Sequence, residues 1–204
     1  MEAEFDYSSE GFYPEKIETE NMTLRKASTE NYDASEVLKF MRTQGVEEAF
    51  KTYPYEVPDS EDKALGFIEK REYENKEGNN FTYLIGLDES SNPFDGEIII
   101  KTEGKTAELG FWLTSDYWGN AYASEAAKAV IEMLFEDKSF EKIEVQTTES
   151  NEKAQRATEK FILPLGGKSL GKRQTTMGAE AEYSDSDEEI TVVEYELERE
   201  NYSP

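Results

Sequence analysis

The stretch Ala107–Ala127, AELGFWLTSDYWGNAYASEAA, constrains this chain more than any other. Its first seven residues alternate. Ala107, Leu109, Phe111 and Leu113 point one way and Glu108, Gly110 and Trp112 the other, the period of a strand. From Ala123 the apolar positions are Ala123, Ala126, Ala127, Val130 and Leu134, the spacing of a helix with one buried face. A short turn containing Gly119 joins the two. A strand that bends sharply into a helix aims several backbone N–H groups, which lack intrahelical partners, at one point. The helix dipole adds to them, so that point suits a phosphate. An ordinary strand–helix junction without a ligand gives the same pattern, and spacing alone leaves both readings open.

The flanking segments follow the same two periods. Ile17–Arg25 reads as a first strand. Ser28–Thr29 caps a helix running to about Arg42, with Val37, Leu38 and Met41 buried. Val46–Lys51 is a second helical stretch, and Asp59–Asp62 starts a third whose core candidates are Ala64, Leu65, Phe67 and Ile68. Phe81–Leu87 and Gly96–Lys101 are strands separated by the turn-rich Asp88–Asp95. After the long helix come a strand at Lys142–Thr148, a helix at Asn151–Phe161, and strands at Leu165–Arg173 and Ile190–Leu197. An acidic loop, Gly178–Asp187, lies between the last two. This order predicts an α/β (α+β) domain, a mixed sheet with helices on both faces. Residues 1–15 are expected to form an acidic, frayed arm, 16–199 a single domain and 200–204 a tail.

Charge narrows the function. The chain of 204 residues carries 46 acidic against 22 basic residues, a formal charge of −24, spread along its whole length. Such a surface is a poor partner for duplex nucleic acid or anionic membrane. It suits either a cationic substrate or a salt-rich cytoplasm in which repulsion is screened. The global spread favours the second. With no Cys and no His, imidazole triads, thiolate nucleophiles and Cys/His metal sites are excluded, and no metal is expected. Proton transfer falls to carboxylates, Tyr, Lys, backbone or water. No apolar run approaches the ~20 residues that span a bilayer, and the acidic start lacks a signal-peptide character. A cytoplasmic protein is expected.

The residues Glu108-Leu109-Gly110-Phe111-Trp112-Leu113, then Trp118-Gly119-Asn120-Ala121-Tyr122-Ala123-Ser124-Glu125-Ala126, resemble the acetyl-CoA-binding core of the GCN5-related N-acetyltransferases (GNAT superfamily). They are most similar to the RimJ/RimL-like branch, which acetylates ribosomal and other protein N-termini. A second block, Asn151 through Glu159-Lys160-Phe161, is similar to a following family motif, with Ala154 at its Ser position and Thr158 where many relatives hold a Tyr acid. The second Gly of the family turn is Ala121 here. Its methyl group stands where a positive φ and close pyrophosphate approach are expected.

The resemblance implies a GNAT fold, with a mostly antiparallel twisted sheet of about seven strands. It implies acetyl-CoA as acyl donor and a primary amine as acceptor, first a protein or peptide N-terminal α-amine such as that of a ribosomal protein. A homodimer is compatible with it. By the same resemblance the backbone N–H groups of Gly119, Asn120, Ala121, Tyr122 and Ala123 cradle the pyrophosphate and Trp118 packs beside them. Trp112 and Leu113 offer backbone to the pantetheine arm. Asn151 approaches the pantetheine or acetyl end, and Glu108 activates the amine or orders a water. Each has a plainer alternative: core packing for Trp112 and Leu113, a helix N-cap for Asn151, a cross-sheet ion pair for Glu108. Two other functions stay open, an acyl-CoA-binding regulatory module without turnover and an acetyltransferase for a small-molecule amine such as a polyamine or aminoglycoside.

Overall fold

A computed structural model describes residues 4–6, 13–50, 57–77, 80–136, 140–176 and 188–204, the first three as backbone only. The strands are β1 (Glu4–Asp6), β2 (Lys16–Glu18), β3 (Met22–Lys26), β4 (Asn80–Leu87), β5 (Gly96–Glu103), β6 (Thr106–Leu113), β7 (Lys142–Thr148), β8 (Lys168–Thr176) and β9 (Glu189–Glu198). The helices are α1 (Ala34–Met41), α2 (Gln44–Phe50), α3 (Glu61–Glu77), α4 (Tyr122–Glu136) and α5 (Glu152–Ile162). The strands form one sheet in the order β1-β2-β3-β4-β5-β6-β7-β9-β8. Every neighbouring pair is antiparallel except β6–β7, which is parallel and joined through α4. The mixed, mostly antiparallel sheet with helices on both faces is the architecture expected. It has nine strands rather than about seven.

The period-2 pattern divides the core into two layers. Tyr83 and Ile85 of β4, Ile98 and Ile100 of β5, and Ala107 and Leu109 of β6 face α4 and α5. There Ala126, Ala127, Val130, Ile131 and Leu134 close the layer. The alanines let α4 lie close to the sheet, as the helical spacing demands. On the opposite face Leu84 and Trp112 join Val37, Phe40, Val46, Phe50, Ala64 and Ile68 of α1–α3. Within α3, Leu65 and Phe67 are only half-buried.

Three local expectations are corrected. Ile17–Arg25 is not one strand but a tight hairpin, β2 and β3, with Ile17 opposite Leu24. The Glu125 carboxylate holds its turn, accepting from Thr19 Oγ1 at 2.6 Å, Asn21 N at 3.0 Å and Asn21 Nδ2 at 2.9 Å. Ser28 caps only a 3-10 turn, Thr29–Asn31. Helix α1 starts later, at Ala34, because Asp33 accepts from the backbone N–H groups of Ser35 and Glu36. Strand β8 begins at Lys168 rather than Leu165. Leu163–Gly167 instead forms the turn that ends α5, with Gly167 N donating to Ile162 O at 2.9 Å and Gly166 at φ 97°.

The amino-terminal segment is tied to the body where it is described. Glu4–Asp6 pairs with β2. Tyr13 packs on Phe81, ring centroids 3.9 Å apart, and Pro14 O accepts from the buried Tyr83 hydroxyl at 2.8 Å. The acidic loop Gly178–Asp187 with Tyr183 falls outside the described residues, as does Lys51. Among the described residues no helix is long and apolar enough to cross a membrane.

Candidate active site

The sheet opens at one place. β6 and β7 pair from Thr106–Lys142 through Leu109–Val145 and no further. Yet β6 stays paired to β5 as far as Leu113, and β7 to β9 as far as Thr148. Each strand is therefore held on its outer side while the inner edges, Gly110–Leu113 and Gln146–Thr148, diverge. Alternate N–H and C=O groups of both edges face the gap, as strand geometry dictates. A buried strand edge without partners is costly, so the gap is suited to an extended chain carrying its own amides.

The turn closes the top of this gap. Beyond a 3-10 turn at Ser115–Tyr117, Gly119 has φ 90° and Ala121 φ 66°. Ala121 thus adopts the left-handed backbone that a glycine would enter at no cost; for an L-residue it costs roughly 1–2 kcal/mol. A Cβ at Gly119 would meet nothing within 4 Å, so its surface is open. The first bond of α4 runs from Glu125 N to Ala121 O at 3.0 Å. The amides of Tyr122, Ala123 and Ser124 precede it, and Ala121, in the capping position, has no side-chain oxygen to offer them. A helix of 15 residues therefore presents an uncapped N-terminus at the mouth of the gap.

Neighbouring elements fix this corner. Trp118 Nε1 donates to Leu113 O at 2.8 Å, folding the turn back over the end of β6. Lys153 Nζ, from the first turn of α5, lies 4.2 Å from the Trp118 ring centroid. The Tyr122 hydroxyl donates to Glu89 Oε1 at 2.9 Å, a contact that pushes its pKa up. Asp95, fully buried, accepts from Leu87 N, Ser90 Oγ and Asn92 Nδ2, and its carbonyl accepts from Thr114 N at 2.9 Å. Beside it Gly96 lies so close to β6 that a Cβ would stand 2.2 Å from Trp112 O. Sequence reasoning passes over Lys153, because it meets Trp118, on an element distant in the chain. Asp95 and Gly96 show in the sequence only as the end of a turn-rich loop and the start of a strand.

The remaining candidates sit around the gap in distinct ways. Glu108 is half-buried in the second-last paired rung, between Lys101 and Glu144. It lies at the apex where the strands part, on the same sheet face as Trp112. Glu144 is itself paired with Lys142 at 2.5 Å, which raises the Lys142 pKa. Asn151 is the N-cap of α5, Oδ1 accepting from Ala154 N at 3.1 Å. Trp112 is packed edge-to-face on Phe50 with centroids 4.7 Å apart, and its side chain is core. Thr158 is fully buried, and its Oγ1 finds no hydrogen-bond partner among the described residues. The Tyr195 hydroxyl nearby donates to Glu159 at 3.3 Å, and burial pushes its pKa up to about 12, so it keeps its proton at neutral pH. No group of three or more acidic, His or Cys side chains among the described residues is arranged to hold a metal.

Comparison with known proteins fits this geometry. Residues 21–161 match the acetyltransferase (GNAT) domain family. YkkB of Bacillus subtilis strain 168, an uncharacterized protein, is 30% identical over 91 residues, 43% of this chain and 53% of YkkB. The match thus spans about half the length of that curated relative. Among solved structures, a GNAT-family acetyltransferase from Bacillus anthracis is 20% identical with a TM-score of 0.68, over 91% of this chain and 99% of that one. RimL, the ribosomal L7/L12 alpha-N-protein acetyltransferase, is 17% identical with a TM-score of 0.69, over 94% and 98%. The microcin C7 self-immunity acetyltransferase MccE, in complex with acetyl-CoA and AMP, is 17% identical with a TM-score of 0.69, over 88% and 93%. At these identities the solved structures share the fold.

Proposed function

We propose, since this chain belongs to the GNAT acetyltransferase family, that it transfers the acetyl group of acetyl-CoA to a primary amine, first an N-terminal α-amine of a protein or peptide. The observation that carries this reading is the parting of β6 from β7 directly below the uncapped N-terminus of α4. One feature suits an extended amide-bearing arm and the other a diphosphate, and acetyl-CoA has both.

The residues then take these roles. The amides of Gly119, Asn120, Ala121, Tyr122 and Ala123 hold the pyrophosphate. The free edge of β6 at Trp112 and Leu113 pairs with the pantetheine amides as an added strand. Trp118 holds the turn against Leu113 O. Asn151 sets the start of α5 beside the acyl end. The amine nitrogen attacks the thioester carbonyl; the C–N bond forms, the C–S bond breaks, and the thiolate leaves. The proton lost by the nitrogen passes through water to Glu108, the thiolate takes one from water, and Glu108 returns its proton to that water. Positioning and fixed donors carry most of the acceleration. An α-amine with a pKa near ~8 loses its proton at small cost, which suits a chain without His or Cys.

Thiol release from acetyl-CoA, followed with a panel of N-terminal peptides, spermidine and an aminoglycoside, tests this. Release with peptides is expected, and Glu108→Gln is expected to lower kcat on the order of 10²-fold while leaving acetyl-CoA binding intact. Release only with the small amines moves the acceptor to that class. Tight binding of acetyl-CoA without release from any amine turns the protein into an acyl-CoA-binding regulatory module.

A further inference from the structure

We propose that Lys153 is a positioning residue for the donor, its ammonium anchoring the pyrophosphate at the Gly119–Ala123 turn. This rests on the reading above. A protein of formal charge −24 must accept a polyanion, and its field opposes the approach. A helix N-terminus supplies only about half a unit of positive charge. Glu89 and Glu125 stand beside the same turn through Tyr122, Thr19 and Asn21. A mobile-headed cation at this corner offsets them.

Three observations point to Lys153. Its ammonium sits 4.2 Å from the Trp118 ring centroid, and Trp118 directly precedes Gly119, with its indole locked on Leu113 O. The charge is thus delivered to the turn by a different element, α5, and held there by the ring. Second, among the described residues no carboxylate lies within ion-pair distance of Lys153. Lys105, Lys168 and Lys172 are engaged by Glu141, Glu196 and Glu149; Lys39, Lys128 and Lys160, like Lys153, have no carboxylate at that distance among the described residues, and of these four it is Lys153 that lies over Trp118. Third, Lys153 is the second residue of α5 after the Asn151 cap, where the helix dipole disfavours a cation. A residue that works against its own helix while facing a neighbouring turn has a purpose outside the helix.

The test measures Kd for CoA and for dephospho-CoA, which lacks the 3′-phosphate, with the wild-type chain, Lys153→Met and Lys153→Arg, at low and molar salt. Lys153→Met keeps the stem over Trp118 and removes the charge. It is expected to weaken both ligands on the order of tenfold at low salt, with the deficit shrinking at high salt. Lys153→Arg is expected to restore binding, and KM for acetyl-CoA to rise in Lys153→Met with kcat unchanged. Equal binding by wild type and Lys153→Met overturns the proposal: the lysine then only covers the ring. A deficit with CoA that vanishes with dephospho-CoA also overturns it, by assigning the charge to the 3′-phosphate. A wild-type chain that binds neither ligand overturns the donor reading beneath it.

Discussion

The two faces of the sheet are built on different principles. Against α4 and α5 the packing is almost wholly apolar, with small residues on the helix and branched ones on the strands. Against α1–α3 the layer is crossed by a buried ion pair. Arg71 of α3 reaches Glu97 of β5 through two bonds of 3.0 Å, the guanidinium also lying 3.7 Å over the Phe67 ring. Both charged side chains are essentially shut off from water. Glu97 pairs in register with Trp112, so this ion pair sits one strand from the free edge of β6. The apolar face is tolerant, because transfer energy depends on area and not on direction. The polar face is specific, because a buried charge is acceptable only with its partner in place.

The largest expected effect breaks the polar face. Arg71→Ala strands a carboxylate and is expected to cost about 4 kcal/mol, read as a lower midpoint in urea denaturation. Arg71→Met with Glu97→Leu is expected to recover most of it, since an apolar pair of similar volume needs no solvation. If the single and double variants unfold alike, the two faces do not differ in kind.

Leu134→Ala on the apolar face comes next, at about 3 kcal/mol. No second change at a single position is expected to rescue it, because the loss is a cavity rather than an unpaired group. At the turn between β6 and α4, Ala121→Gly is expected to raise stability by about 1 kcal/mol, by relieving the left-handed φ of 66°. A fall in stability there would mean that the methyl group has packing worth more than its strain.

The smallest effect is a pH dependence on the polar side. Glu72 of α3 accepts from Lys76 Nζ at 2.7 Å and from Thr29 N and Oγ1 at 2.8 Å. The Lys76 bond, then those of Thr29, pull its pKa down from 4.5 to about 2. A folded pKa below the unfolded one means stabilisation that is complete above about pH 5 and lost as the pH falls toward about 2. The Lys76 partner is exposed, so screening holds the effect to a few tenths of a kcal/mol. Glu72→Gln is expected to lower the neutral plateau by those few tenths of a kcal/mol and to remove the matching fall from the acid limb over that window, with no change at its acid end. An unaltered acid limb would remove the tie between α3 and the Thr29–Asn31 turn.

Legibility follows the same division. Strand β6, helix α4 and the turn between them are readable because each residue's period is set by one flat neighbour. Ala107, Leu109, Ala126, Ala127 and Val130 all fall in the layer their spacing assigns. The hairpin at Thr19–Asn21 is not readable, since what bends it is Glu125, about a hundred residues away. Leu165 misleads for a related reason. It is buried by the turn that closes α5, not by membership of a strand. At the site, the Trp118–Ala123 turn is legible as local chemistry, whereas the apex position of Glu108 depends on where β7 leaves β6.

By itself the sequence determined the alternation that makes β6, the alanine stripe that lets α4 settle on it, and the ordered residues that resemble an acetyl-CoA-binding core. Those are local matters of period, side-chain size and backbone freedom. Only the tertiary structure decided where β6 and β7 separate, and that Lys153 meets Trp118 across the turn. Each of these joins segments far apart in the chain, and no local pattern encodes a meeting whose energy comes from both sides.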